Sequence, residues 1–161
     1  MNTLITEIFN LLTQPPGNLI YHLILLFSIL TGLQTTAIIR TDENQGAARR
    51  LTGGFLILLL GQIALFLISA LIWQKLIPNP VILFPLDKAI TLLSLAVVGW
   101  MWNFSTAHRK ADAALLALFL FTAILFFVDL SLQVNALINF PFQWIWTLPN
   151  LLIAGLSLLF L

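Results

Sequence analysis

The chain has no cysteine in its 161 residues. That excludes a disulfide framework, a thiolate metal site, an iron–sulfur cluster and a cysteine nucleophile. Charge is nearly as scarce. Seven Lys and Arg with six Asp and Glu make up 8 % of the chain, where a water-soluble domain carries about 25 %. So few charges cannot coat a folded surface in water, and a soluble globular protein is excluded. The net charge of +1 leaves no basic field to hold nucleic acid. What is plentiful is apolar: 60 % of residues are hydrophobic, 12 % are aromatic, and the mean hydropathy is +1.04.

A membrane-crossing helix needs about 20 mostly apolar residues. Runs of this kind cover 19–39, 51–73, 87–104 and 113–128, and a fifth extends from 148 to 161. They are continuous rather than alternating, which predicts helices and not barrel strands. The predicted fold class is therefore all-α, a polytopic membrane bundle of five transmembrane helices. A short N-terminal interfacial helix is expected before them, over 1–18. There Leu4, Ile5, Ile8, Phe9, Leu11 and Leu12 form an apolar stripe between Glu7, Asn10 and Thr13, and Pro15-Pro16-Gly17 stops it. The fifth run spans only about 21 Å as a helix against a hydrocarbon core of about 30 Å. The chain is accordingly expected to continue beyond Leu161.

Lys and Arg in short loops set orientation. Arg40, Arg49, Arg50, Arg109 and Lys110 fall on one side of the predicted topology, and Lys75 and Lys88 on the other. This predicts an external N-terminus and an internal end of the fifth span. Trp73, Trp144 and Trp146 then lie at the outer boundary, and Trp100 and Trp102 near the inner one, as interfacial belt residues.

His22 and His108 are the only histidines. The bilayer separates them in this topology, so no two-histidine metal site is expected, and no metal or other cofactor. The outer ends of the spans gather His22, Asp87, Lys88 and Asp129. Asp87, Thr91 and Ser94 share one face of the third span, and Asn150, Ala154 and Ser157 repeat that spacing on the fifth. Ionisable groups are costly in a membrane and tend to face the bundle interior. A ligand pocket lined by His22, Asp87, Thr91, Asp129 and Asn150 is the functional expectation. Helix capping and snorkelling at the headgroups explain the same residues, and Asp87 also suits the positive end of its own helix. Gln62 is the deepest uncharged polar side chain, with Ser69 seven residues on, and an amide there is expected to bond across to another helix. Gly54 and Gly61 allow close backbone approach, within the bundle or along a dimer seam. Phe140, Phe142, Trp144 and Trp146 alternate with other residues, which predicts an extended stretch, either a lid or a segment lying in the interface. Thr147 and Pro149 then read as the cap and first turn of the fifth helix.

No nucleophile–base pair, phosphate loop or pair of carboxylates at catalytic spacing is present, so no enzyme active site is expected in this segment. Three stretches, Pro15-Pro16-Gly17-Asn18-Leu19-Ile20-Tyr21-His22, Phe84-Pro85-Leu86-Asp87-Lys88-Ala89 and Phe142-Gln143-Trp144-Ile145-Trp146, taken together resemble the N-terminal multi-pass region of bacterial sensor histidine kinases. In that family the region precedes cytoplasmic GAF or PAS and kinase domains. The resemblance implies a membrane-embedded sensory and anchoring module of a signal-transduction protein. Its partners would be the lipid bilayer, a second copy in a homodimer and an unidentified stimulus or small ligand. Two alternatives are a small transporter or channel component, which needs a continuous polar path, and an integral membrane enzyme acting on lipid, which needs acid–base residues at one face.

Overall fold

The computed structural model describes residue 7 and residues 16–39, 45–77, 80–103, 109–134 and 143–159. Among these the chain forms five α-helices and no strand. They are α1 (Gly17–Ile39), α2 (Gln45–Trp73), α3 (Leu83–Asn103), α4 (Arg109–Val134) and α5 (Gln143–Leu159), with a 3-10 turn, Pro80–Ile82, leading into α3. The first four are long and apolar enough to cross a membrane, and α5 is a shorter apolar helix of 17 residues. The protein is a multi-pass helical membrane bundle. Glu7 is helical and exposed; the other residues of the predicted interfacial helix up to Pro15 lie outside the described residues. Gly17 and Asn18, predicted to end that segment, instead open α1, whose first turn is closed by the Leu19 N–H donating to the Pro16 carbonyl.

The helices run past the predicted spans at most ends. α4 starts at Arg109 and ends at Val134, so Asp112 lies in its first turn and Asp129 well inside it. Hydropathy marks the hydrocarbon, whereas backbone hydrogen bonding carries the helix on through polar residues. α5 departs most. It begins at Gln143, so Trp146 and Thr147 are helical and Pro149 lies inside the helix. The extended stretch and the Thr147 cap are thereby corrected; Phe140 and Phe142 lie outside the described residues. The physical reason is that an extended backbone in lipid leaves its N–H and C=O groups unpaired, which a helix avoids. Pro149 has no N–H, so the Ile145 carbonyl receives no helical bond from it.

α2 ends in a Schellman motif. The Leu76 N–H donates to the Leu71 carbonyl and the Lys75 N–H to the Ile72 carbonyl, at 3.0 and 2.9 Å. Lys75 takes the left-handed position at φ 60°, where glycine is the usual residue.

α3 is the hub. It packs against α2, α4 and α5, while α1 packs on α2. Two apolar clusters fill the bundle. One holds Leu58, Val97 and Met101 with Phe55 and Phe119 against them. The other holds Ala89, Leu92 and Trp146 with Leu125 and Phe126. Small residues set the helix spacing. A Cβ on Gly54 would meet the Met101 side chain at 2.1 Å, and one on Gly61 would lie 3.1 Å from Ile90. Both glycines therefore face α3 rather than an outer seam. The outward faces are predominantly apolar, with Leu60 66 % and Phe127 67 % exposed, and the exposed Ser28, Thr31 and Thr35 hydroxyls of α1 donate to carbonyls of their own helix. Lipid is the only solvent in which such surface is stable.

Candidate functional site

The antiparallel order of the helices brings the start of α1, the end of α2, the starts of α3 and α5 and the end of α4 to one end of the bundle. Buried polar side chains concentrate there in two groups. In the first, Asn18 and His22 sit one turn apart on α1 and face α2. The Asn18 amide donates to the Ser69 hydroxyl at 2.9 Å, and His22 Nδ1 lies 3.0 Å from Gln62 Oε1. With that oxygen as acceptor Nδ1 carries the proton, and in the neutral ring Nε2 holds the lone pair. Asn18, His22, Gln62 and Ser69 are all buried, and the Asn18 Oδ1 has no hydrogen-bond partner. The Tyr21 ring meets His22 edge-on at 5.5 Å. Asp87, half-buried on α3, is next to Lys88 and lies within electrostatic range of His22.

In the second group a carboxylate is enclosed. Asp129 is 2 % exposed. Its Oδ2 accepts from the Trp146 indole N–H at 2.7 Å, and its Oδ1 from the Gln133 amide at 2.9 Å. Among the described residues no cation pairs with it, so neutral donors alone offset the lost hydration. Trp146, itself 2 % exposed, packs on Ala89 and Leu92 of α3 and reaches across to α4. It is a core residue and not the belt residue predicted. Trp73 and Trp102 are exposed as a belt requires; Trp144's side chain lies outside the described residues.

The opposite end is held differently. Arg50, buried on α2, forms an ion pair with Asp112 on α4 and stacks over the Trp100 ring at 4.5 Å. The Trp100 indole N–H also donates to Asp112, at 2.9 Å. One side chain from each of α2, α3 and α4 closes this clamp. Between the two ends the interior is mostly apolar, with Leu58, Leu65, Leu92 and Val97; Thr122, also fully buried there, donates to the Leu118 carbonyl of its own helix.

The five residues expected to line one ligand pocket are thus distributed. His22 bonds to Gln62 between α1 and α2, Asp87 is half-buried on α3 within electrostatic range of it, Asp129 is enclosed with Trp146, and Thr91 is exposed. Asn150 is half-buried one turn beyond Trp146, with its Oδ1 buried and unpartnered. Gln62 and Ser69 both bond across to α1. Sequence reasoning missed Asn18, Trp146 and the Arg50–Trp100–Asp112 clamp. The signal for the clamp was available, since the predicted topology puts Arg50 and Asp112 at the same membrane face with opposite charges. His108 lies outside the described residues, and among those described no cluster of three His, Asp or Glu could hold a metal. The chain matches no family model, no curated protein and no solved structure.

Proposed function

We propose that this chain is the membrane-embedded sensory and anchoring module of a larger bacterial signal-transduction protein, of the kind that precedes a histidine kinase. The carrying observation is the pair of buried polar groups at one end of the bundle, Asn18–Ser69 with His22–Gln62, and Asp129–Trp146. Membrane insertion needs neither group, and each adds a cost that plain apolar contact would avoid. Each joins a peripheral helix to the bundle: α1 to α2, and α5 to α4. Such joints suit an element with two packings. A bond of about 1 kcal/mol biases two states about fivefold. A stimulus that breaks or makes one joint would shift α1 against α2 or α5 against the hub α3, and α5 would carry the shift inward.

The orientation in this proposal puts the polar end outside and the clamp end inside, in the cytoplasmic membrane, with the protein acting as a homodimer. The apolar middle of the bundle counts against the transporter reading, because an aqueous path would have to cross Leu58, Leu65, Leu92 and Val97. The described residues of the polar end include His22, Asp87 and Asp129, but Asp129 is sealed by Trp146, which counts against acid–base chemistry on lipid.

The test couples the whole chain to a histidine kinase core and reads its phosphorylation in membranes. Gln62→Leu and Asp129→Leu are each expected to change the basal output severalfold. Reporter insertions after Gln45 and Asn135 are expected to read cytoplasm and exterior respectively. Unchanged output from both variants, together with solute flux or lipid turnover by the purified chain in vesicles, would overturn the proposal.

A further inference from the structure

α2 and α4 both pack on α3, but they do not pack on one another along their length. The gap between them is a cleft of about 260 Å³, with Ile57, Leu60 and Gly61 of α2, Ile90 and Ser94 of α3 and Phe119 of α4 among its lining. Ser94 is the one polar side chain in that lining. Leu60, on the rim, is largely exposed, so the cleft opens to the hydrocarbon. The Arg50–Asp112 pair closes the gap at one end. Arg50 and Ile57 are seven residues apart on α2, as are Asp112 and Phe119 on α4 and Leu93 and Trp100 on α3. Each pair shares a helix face, so the clamp stands directly above the cleft.

Three exposed cations lie at the clamp's end of the bundle: Arg49 on α2, and Arg109 and Lys110 on α4. Asp112 is engaged by Arg50 and Trp100, so it does not answer them. Arg49 lies eleven residues, or three turns, from Leu60, which places the cation above the cleft's rim on the same face. The rise is about 16 Å from Arg49 to Leu60 and about 15 Å from Arg109 to Phe119. One leaflet's hydrocarbon is about 15 Å deep. A lipid phosphate at the level of the arginines therefore has its chain end at the level of the cleft. Water is a poor occupant, because Ser94 alone cannot supply the two to four polar partners that a buried water needs.

We infer that the α2–α4 cleft is a binding site for an anionic phospholipid, with the distal acyl chain between Ile57, Gly61 and Phe119 and the phosphate held by Arg49 and Arg109. The charge of the rim selects this occupant over a zwitterionic lipid, and the depth of the apolar cleft matches its acyl chain.

The test uses the full chain in nanodiscs containing phosphatidylglycerol or phosphatidylcholine, each with a photoactivatable group near the end of its acyl chain. Labelling by phosphatidylglycerol is expected on peptides containing Ile57–Gly61, Leu93–Ser94 and Phe119. The Arg49→Gln/Arg109→Gln variant changes only exposed positions. It is expected to lower phosphatidylglycerol retention about fivefold for each cation removed. Ser94→Leu, which fills the cleft, is expected to abolish the labelling there while leaving helix content unchanged. Labelling spread evenly over the outer faces of α1 and α4 would overturn the inference. So would equal retention of the two lipids, or cleft labelling unaffected by Ser94→Leu.

Discussion

Removing the Trp146 indole should cost more while its partner Asp129 is in place than after Asp129 is replaced. Trp146→Phe loses one hydrogen bond to a buried anion and leaves a void where the larger ring met Ala89 and Leu92. Interhelical hydrogen bonds in membranes average about 0.6 kcal/mol and reach about 1.7. A 2.7 Å bond to a carboxylate belongs in the upper part of that range, at about 1 kcal/mol. Full truncation of a core tryptophan costs about 3–5 kcal/mol, and the smaller change to phenylalanine about 1. The expected total is about 2 kcal/mol. Asp129→Leu behaves differently. It forfeits bonds to Trp146 and Gln133, but it also removes a carboxylate whose placement at a helix centre would cost about 2.5–3.5 kcal/mol. Asp129 lies five residues before the end of α4, about 8 Å by the helical rise, so its cost is below that figure. The two effects nearly cancel, and Asp129→Leu should stay within about 1 kcal/mol of the parent. In that background Trp146→Phe should cost the void at most, since it also removes an indole N–H left without its acceptor. The cycle is measured by reversible unfolding in mixed micelles, followed by far-ultraviolet circular dichroism. The expected coupling is about 1 kcal/mol; a value below about 0.3 means that the two side chains do not act together.

Adjacent glycines of α2 should respond with opposite sign. A Cβ on Gly53 meets nothing within 4 Å, so Gly53→Ala should stabilise by up to about 1 kcal/mol through helix propensity. At Gly54 the Met101 side chain is in the way, and Gly54→Ala should destabilise by about 1 kcal/mol, with Met101→Ala in the same chain relieving part of the loss. Lys75→Gly should raise the unfolding midpoint, because the left-handed backbone costs a side chain about 1–2 kcal/mol and glycine's greater unfolded entropy returns about 0.5–1 of it. Asp112→Asn should cost about 1–2 kcal/mol in the same unfolding assay. That lies between an exposed pair and a sealed one, since Arg50 is buried and Asp112 is 47 % exposed.

The bundle was legible in the sequence because lipid makes one demand, long apolar runs, and composition reports it directly. The ends of the helices were less legible. Arg109, Lys110 and Asp112 read as loop because they are charged, yet they form the first turn of α4. The seven-residue spacing of Gln62 and Ser69 revealed a shared face, and the one-turn spacing of Asn18 and His22 could have supplied its counterpart on α1. Trp146 was the hardest to place. A tryptophan at a predicted membrane boundary suits the interface as well as the core. Only the enclosure of Asp129, whose oxygens need donors, distinguishes the two. Period-two aromatics favour an extended stretch, but the cost of unpaired backbone groups in lipid outweighs that pattern and α5 is helical from Gln143.

The two mouths of the bundle are fastened by different forces, and solution conditions will tell them apart. Mobile ions can reach the half-exposed Asp112 and weaken its hold on Arg50, with a screening length of about 8 Å at physiological strength and about 3 Å in molar salt. The tryptophan and amide donors around Asp129 are out of their reach. Strong brine will slacken one rim of the bundle while the other keeps its grip, so that salt becomes a one-sided handle on its shape.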